Sequence, residues 1–432
     1  MLFDIPNYVE LIMDRLQERG YKAYIVGGSI RDMLLSKTPM DYDIATDALP
    51  SEIQNIFSDY KTVDIGVKYG TIIVSQKQGD VEITTFRRDG KYTDGRKPEW
   101  VCFSSNIIDD LSRRDFTINA IAYNRMAGII DPYNGIMDLK NKRIRTVENP
   151  NERFKEDYLR ILRAIRFSTQ LDFKIEEATL KAAEMNCKGI RNVSMERISK
   201  ELFKILLSDT PSRGIRLLGD IGILNIILPE IAETIGFKQK NPHHEFNLYE
   251  HILCVMDKTP PIIQIRLAAL FHDIGKPHTL TTDDEGIGHF YGHDRLGAQM
   301  SRNILNRFKC SNELIEKVYV LVKEHMNHHT VFKEKGLKRL IRRVGENEIF
   351  NLTALQKADI ICSNEKASIH HIVERENRIK SIIENKEVYE RNHMAIDGRD
   401  LMDLGFKEGI LIGEILEYLL EMTMENPKLN DR

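Results

Sequence analysis

Cysteine is scarce: the 432 residues contain only Cys102, Cys187, Cys254, Cys310 and Cys362, with no CxxC pair. That scatter argues against a disulfide framework or a zinc ribbon and for a reducing, cytoplasmic setting. Tryptophan occurs once, at Trp100, which reads as a packing anchor. Long apolar runs are missing. The greasiest stretch, 221–228, is far below the ~20 residues that span a bilayer, so no membrane is expected as a partner. A secretory leader is not legible either. Asp4 and Pro6 stand where a signal peptide is basic and then apolar, and Tyr8, Leu11, Ile12 and Leu16 read as a surface helix. Charge of one sign is also lacking. Lys and Arg number 62 against 65 Asp and Glu, a net −3. The average argues mildly against nucleic-acid binding, although a local basic groove can bind phosphate regardless. Basic clusters occur at Arg87-Arg88, Arg113-Arg114, Arg160-Arg163-Arg166 and Lys338-Arg339-Arg342-Arg343, each by itself most simply a solvated face.

The length suits about three domains at roughly 150 residues each. The first ~145 residues alternate short strands and helices: strands at 21–26, 42–45, 71–74 and 81–86, and a helix at 30–35 after Gly27-Gly28. Gln78-Gly79-Asp80 reads as the turn of a strand pair. From Asn151 strand signals vanish, and helical periodicity governs 154–170, 194–207, 211–218 and most of the remaining chain. The expectation is an α+β chain, with a small mixed or antiparallel sheet at the head and an all-helical body.

The string Val26-Gly27-Gly28-Ser29-Ile30-Arg31-Asp32, with Asp41-Tyr42-Asp43 after it, carries the first chemistry. Gly-Gly between strand and helix lets backbone N–H groups approach a triphosphate. Asp41 and Asp43, two apart on a strand, share a face. Two carboxylates beside a phosphate cradle suit Mg²⁺, which can activate a 3′-hydroxyl and stabilise departing pyrophosphate. Glu82, on a nearby strand, is a weaker third candidate.

With these residues in place, the chain resembles the class II tRNA nucleotidyltransferase and bacterial poly(A) polymerase superfamily. The segment VGGSIRDMLLSKTPMDYDIATDALP looks like the first family motif. The stretch from Asp110 to Ala120 resembles the ribose-reading motif, which implies that Arg114 and Asp115 recognise a 2′-hydroxyl. Asp131-Pro132 through Asp138-Leu139 resembles the hinge, Glu156-Asp157-Tyr158-Leu159-Arg160 the nucleotide-selecting EDxxR, and Arg197 to Leu202 the last neck motif. The tail from Gly398 to Leu416 is also similar to the family's. The resemblance implies a polymerase-β-like head and C, C and A addition to a tRNA 3′ end from CTP and ATP. It implies a nucleotide site that includes Gly27, Gly28, Arg31, Arg114, Asp115, Asp157, Arg160, Arg163 and Arg166, and no DNA partner.

EDxxR has its own logic. Asp157 and Arg160, three apart, are expected on one face of a helix. A carboxylate accepts from an exocyclic amine and a guanidinium donates to a ring nitrogen, a pattern that C and A satisfy and that U and G do not. The bland reading is an i, i+3 ion pair. The polar, glycine-punctuated loop 85–98 resembles the flexible loop that CC-only enzymes have shortened, and its full length favours addition of the terminal A.

A second constellation lies further along the chain. His251, His272-Asp273 and Asp359, in that order, resemble the HD phosphohydrolase superfamily. Imidazoles with carboxylates suit Ni, Co, Mn, Fe or Mg better than a thiolate zinc site. His293 and His325 are candidates for a second metal or a phosphate grip, and His244 for a gate. His278, His289, His328 and His329 read as solvated.

The reading divides the chain into a head at 1–146, a neck at 147–240, an HD domain at 241–372 and a tail contacting the tRNA body at 373–432, as a monomer or homodimer. The alternatives are an A-adding tRNA enzyme, a poly(A) polymerase of the same superfamily, and an RNA-binding repair phosphatase.

Overall fold

The structure, a computed structural model, describes residues 3–66, 69–90, 99–240, 247–363 and 368–431. The chain forms two compact units, one of Met1–Ile205 with Arg216–Ile226 and one of Leu206–Ile215 with Ile227–Arg432.

The first unit opens with α1 (Asn7–Glu18), which buries Val9, Ile12, Met13 and Leu16 at helical spacing. Leu11, expected on the same face, is 42% exposed. Then come β1 (Ala23–Val26), α2 (Gly28–Leu34), β2 (Tyr42–Thr46), α3 (Pro50–Ile56), β3 (Lys61–Gly66), β4 (Thr71–Gln76) and β5 (Gly79–Thr85). A hairpin of β6 (Arg87–Asp89) and β7 (Val101–Phe103) leads to α4 (Ile107–Ser112), β8 (Ala122–Asn124), β9 (Gly128–Ile130) and α5 (Gly135–Lys140). Seven strands form one sheet in the order β3-β4-β5-β2-β1-β8-β9. Within it, among the described residues, only β2 and β5 pair in parallel, so the sheet is mixed. Ile25, Ile44, Ile72 and Ile83 join the apolar face of α1 in one core, and the other face of the strands carries Asp43 beside a smaller core that includes Val26, Ala45, Phe86 and Leu111.

The helical part of this unit begins after β10 (Arg143–Ile144) with α6 (Pro150–Glu156) and α7 (Leu159–Leu171). Then β11 (Lys174–Ile175), paired in parallel with β10, precedes α8 (Glu177–Asn186) and α9 (Met195–Leu206). Strands therefore persist past Asn151, as a two-residue pairing too short for period-2 alternation to reveal.

Next in sequence are α10 (Pro211–Asp220), α11 (Leu224–Ile227) and α12 (Pro229–Ala232). The second unit then builds on α13 (Leu248–Lys258), α14 (Ile263–Phe271), α15 (Lys276–Thr279), the short pair β12 (Thr281–Thr282) and β13 (Gly288–His289), α16 (His293–Arg307), α17 (Asn312–Glu324), α18 (Glu334–Val344) and α19 (Glu346–Ser363). It ends with α20 (His370–Glu384), α21 (Gly398–Asp403) and α22 (Ile410–Glu425). Asn247 and Ser311 cap α13 and α17 by accepting from the N3 amide, which satisfies an orphan donor at each helix start. From Ile265 to Phe271 every residue of α14 is buried, and this helix packs against α13, α17 and α19. The basic cluster on α18 is taken up in ion pairs: Arg339 with Glu421, Arg342 with Glu417, Arg343 with Glu324, and buried Lys338 with Glu387. Among the described residues no helix is long and apolar enough to cross a membrane.

One cysteine pair was not anticipated, although a single bridge is no disulfide framework. Cys254 on α13 and Cys362 on α19 form a disulfide with their Cα atoms 5.8 Å apart. They are 108 residues apart, so no local spacing could announce the pair; helix packing brings them together.

Candidate active site and metal centre

Strand register decides the first site. Asp43 sits on β2 between Val26 of β1 and Glu82 of β5, so the Asp43 and Glu82 side chains leave the sheet on the same face. Asp41 lies just ahead of β2. Burial first, then the Glu82 charge, pushes the Asp43 carboxyl up to about 6, with Asp41 adding to it. Loss of surrounding water, then Asp41, raises Glu82 as well. Like charges gathered on one face favour binding of a cation. An all-oxygen donor set of this kind fits Mg²⁺.

Gly27 precedes α2 with φ +77°, a conformation that a side chain resists. A Cβ there would also stand 2.9 Å from Nη1 of Arg114 and 3.4 Å from Oδ2 of Asp43, so the bare turn lets backbone, carboxylate and guanidinium converge. Arg114 is aimed from below by Asp110, whose fully buried carboxylate accepts from Arg114 Nη2 at 2.9 Å and Arg113 Nε at 2.9 Å. Asp110 has no role in the sequence reading; its burial was the missing signal.

The remaining arginines form one network. Arg31 Nη1 donates to Asn119 Oδ1 at 2.9 Å, Asn119 Nδ2 to Asp115 Oδ1 at 3.1 Å, and Arg163 Nε to Asp115 Oδ2 at 2.7 Å. Burial opposes ionisation of Asp115, but Arg163 and its hydrogen bonds bring it down to about 2. Burial lowers Arg166 to about 10, and Glu201 lies 3.3 Å from its Nε. The Phe167 ring lies under all three guanidiniums, at 5.0 Å from Arg31, 5.4 Å from Arg163 and 4.1 Å from Arg166.

The EDxxR expectation needs correction. Asp157 and Arg160 do not lie on one helix: α6 stops at Glu156, Asp157 is extended at φ −153°, ψ 104°, and α7 starts at Leu159. Asp157 accepts from Arg197 Nη2 at 2.7 Å and Nη1 at 3.3 Å, and from the Leu159 amide at 3.1 Å. Arg160 turns instead to Glu156, to the Arg153 carbonyl at 3.1 Å and to the Arg113 carbonyl at 3.2 Å. The helix breaks because the Asp157 side chain competes for the amide two residues on, a local bond that favours helix starts over interiors. Trp100 is also not a buried anchor. It is 56% exposed, and a Cβ on Gly90 would meet its ring at 2.6 Å. Residues 91–98 of the loop and His244 lie outside the described residues.

Three family models match parts of this chain. Residues 23–145 match "Poly A polymerase head domain", 172–235 match "Probable RNA and SrmB- binding site of polymerase A", and 280–431 match "tRNA nucleotidyltransferase domain 2 putative". The CCA-adding enzyme of Ligilactobacillus salivarius is 35% identical over 422 residues, 98% of this chain and 93% of that one. The chain belongs to the CCA-adding tRNA nucleotidyltransferase family. The CCA-adding enzyme of Enterococcus faecalis is 33% identical over 98% of this chain and 95% of its own length. The crystal structure of the Bacillus stearothermophilus CCA-adding enzyme in complex with CTP superposes with a TM-score of 0.71 at 26% identity, covering 98% of this chain and 94% of that one.

The three family matches leave 236–279 uncovered, and His251, His272 and Asp273 fall there. This CCA-adding family member brings them together with the later candidates. His251, His272 and Asp273 form one potential metal-binding trio, and Asp273, His293 and His325 a second, all buried and sharing Asp273. His251 Nε2 lies 3.1 Å from Asp359 Oδ1 and 3.2 Å from His272 Nε2. Nδ1 of His272, His293 and His325 lies 2.8, 2.6 and 2.6 Å from the carbonyls of Ala269, Phe290 and Val322. A carbonyl only accepts, so each Nδ1 carries a proton, and in the neutral ring each Nε2 then turns a lone pair inward. Among the described residues, buried Nε2 of His293 and of His325 find no hydrogen-bond partner, and they lie 3.3 and 3.7 Å from Asp273 Oδ1. Converging lone pairs beside ionised carboxylates fit a divalent metal. Burial opposes the charge on Asp273, yet Lys276 and the histidines hold it well below the ordinary carboxylate range.

Two participants were missed. His328, read as solvated, is buried, with Nδ1 3.9 Å from Asp359 Oδ2; a one-turn 3₁₀ segment after α17 turns it inward. Lys276 is buried with Nζ 2.7 Å from Asp273 Oδ2. His278 and His289 are partly exposed as expected, beside Glu233 and Asp283; the His329 side chain lies outside the described residues.

Proposed function

We propose that this chain adds C, C and A in turn to the 3′ end of tRNA, using CTP and ATP and releasing pyrophosphate. We propose further that its helical unit carries a separate metal-dependent phosphohydrolase centre. The observation that carries the first activity is the Asp43–Glu82 register beside Asp41 and the Gly27 turn. Mg²⁺ held by Asp41 and Asp43, with Glu82, would act as Lewis acid and template for attack by the 3′-hydroxyl and departure of pyrophosphate. Gly27, Gly28 and Arg31 border the triphosphate space, and Arg114 and Asp115 face the ribose. A carboxylate offers about four lone-pair sites. The Arg197 guanidinium and the Leu159 amide leave room on Asp157 for an exocyclic amine, while Arg160 keeps N–H groups for a ring nitrogen. C and A fit that pair. The full-length loop at 85–98 supports addition of the terminal A as well as C. The B. stearothermophilus relative was solved with CTP, which supports CTP as a substrate here.

The test is incubation of the purified chain with tRNA that ends at the discriminator base, giving CTP and ATP separately and together. C alone from CTP, and CCA from both, is the expected result. Incorporation of ATP only onto tRNA already ending in CC would make the chain an A-adding enzyme.

At the second centre, His251, His272, Asp273 and Asp359 would hold a transition metal or Mg²⁺, with His293 and His325 around Asp273. The metal would polarise a phosphate ester toward water. The substrate class we assign is 2′,3′-cyclic phosphates and phosphomonoesters, including RNA ends whose blocked 3′-hydroxyl the first site cannot extend. Water oxygen bonds to phosphorus, one P–O ester bond breaks, and the freed sugar oxygen takes the proton. Hydrolysis of cytidine 2′,3′-cyclic phosphate that disappears on chelation and returns with Ni²⁺, Co²⁺ or Mn²⁺ is the expected result. Failure with every metal and with phosphomonoesters would leave the cluster structural. We further take the chain to be cytoplasmic and to divide its work among head, neck, HD and tail segments at 1–146, 147–240, 241–372 and 373–432.

A further inference from the structure

A large cavity opens beside the histidine–aspartate cluster, and its walls join cationic side chains such as Lys276, Arg375 and Arg378 to an apolar part that a phosphate alone would not use. We propose that it is a nucleobase subsite, so that the second centre takes the terminal nucleotides of a single-stranded RNA end rather than phosphate esters at large. This rests on the phosphohydrolase reading above.

The cavity has a volume of about 1400 Å³, and its lining includes Asp273, His293 and Asp359 of the cluster. Pockets for drug-sized ligands run to roughly 300–1,000 Å³, so the space exceeds what a small phosphate ester needs. Phe290, Phe332, Leu337 and Ile360 also line it. Such apolar surface gives nothing to a phosphate, but it suits the flat faces of bases. The aromatic rings are tied to the chemistry. Lys276, bonded to Asp273, also lies over the Phe290 ring at 5.4 Å, and Arg375 lies over Phe332 at 5.0 Å. Tyr291, also in the lining, is 80% exposed and stacked on His289, with centroids 5.6 Å apart and planes 12° apart. A stacked, exposed pair of rings is a ready platform for a further base of an unpaired strand. The arrangement is a phosphate-directed cluster, an apolar slot and an external stacking step.

The test compares two five-membered cyclic diesters on the full-length, Mn²⁺- or Ni²⁺-loaded chain: cytidine 2′,3′-cyclic phosphate and glycerol 1,2-cyclic phosphate, which lacks a base. The base-bearing diester should be preferred by about a hundredfold in kcat/KM, mostly through KM. Phe332→Ala should cut that preference about tenfold and Phe332→Trp should keep it, which separates stacking from general damage. A second readout needs no turnover. A trinucleotide with a 3′-terminal 2-aminopurine and a 3′-phosphate, which the nucleotidyl-transfer site cannot extend, should lose fluorescence on stacking in the wild type and not in Phe332→Ala. Equal use of both diesters, with Phe332→Ala leaving their ratio unchanged, overturns the subsite and leaves the hydrolase standing. Absence of all hydrolysis removes the hydrolase reading, and the fluorescence then decides the subsite alone: quenching that Phe332→Ala abolishes supports it, and quenching unaffected by the substitution overturns it.

Discussion

Arg197 on α9 grips both carboxylate oxygens of Asp157, at 3.3 and 2.7 Å, while Arg160, three residues from Asp157, is turned to Glu156. Arg197, in the last neck motif, therefore sets the orientation of Asp157, the residue we propose reads the base. Arg197→Ala should lower kcat/KM for CTP and ATP about tenfold, the scale of a lost charge-assisted hydrogen bond of about 1–3 kcal/mol. Arg197→Lys should recover only part, because an ammonium cannot span both oxygens. Misincorporation of UTP and GTP, measured on the same tRNA, should rise. A uniform loss across all four nucleotides would reduce Arg197 to a packing role.

Asp41→Ala and Asp43→Ala should each lower incorporation by at least about a hundredfold, near 3 kcal/mol of barrier, with tRNA binding retained. Glu82→Gln keeps the shape and removes a charge, so a smaller loss is expected, partly recovered at high Mg²⁺. Gel-shift and single-turnover assays separate the two quantities. Near-normal turnover in Asp43→Ala at saturating Mg²⁺ would remove it from the site.

Asp43 also predicts a pH dependence. Its carboxyl, pushed up to about 6 by burial and by Glu82, binds a proton more tightly in the folded chain than in the unfolded one. Without metal, that contribution to stability is full below about pH 4 and is lost as pH rises through about 6. Mg²⁺ competes with the same proton, so its affinity should rise with pH and level off above about 7. Calorimetric titration should give binding about tenfold weaker at pH 5 than at pH 7.5. A flat profile, or one that Asp43→Ala leaves intact, would contradict the assignment.

The two centres share no residue. His272→Ala combined with Asp273→Ala should erase cyclic-phosphate hydrolysis and metal binding by the second centre, the latter seen as loss of a Co²⁺ absorption band. CCA addition by the same protein should stay within about twofold of wild type, since the transfer-site residues and these two belong to different compact units. Parallel loss of both activities would mean that the substitution unfolds the chain or that the centres are coupled.

The Cys254–Cys362 bridge closes a loop of over a hundred residues. In the chain-entropy account such a crosslink is worth about 4–5 kcal/mol. Cys254→Ser, or reduction of the wild type, should lower the unfolding temperature of the second unit, and a reductant should leave the variant unmoved. Identical melting with and without reductant in the wild type would show that the crosslink adds nothing.

Much of the first site was legible because its residues are neighbours in the chain. Gly27-Gly28 and Asp41/Asp43 lie within one short stretch of chain, although β2 begins only at Tyr42, so the shared strand face expected for the two aspartates holds for Asp43 while Asp41 stands just ahead of the strand. Glu82 was visible only as an equivocal strand residue. The parallel pairing of β2 with β5 sets it opposite Asp43, and register between distant strands is a property of the sheet. The helix break at Asp157 was hidden for a related reason. Apolar periodicity ran through it, and the competing bonds come from Leu159 nearby and from Arg197, forty residues on.

By itself the sequence determined the α+β head, the helical body, the family motifs and the order of the histidines and aspartates that cluster in the second unit. These are local patterns of period, turn chemistry and spacing, and they survive without a fold. Tertiary structure decided the partners. Asp110 became a guanidinium clamp, Phe167 a floor under three arginines, His328 and Lys276 buried neighbours of the histidine–aspartate cluster, and two scattered cysteines a crosslink. Each depends on burial or on a contact across many residues. The energy of a buried polar group is set by what surrounds it, and packing alone supplies those surroundings.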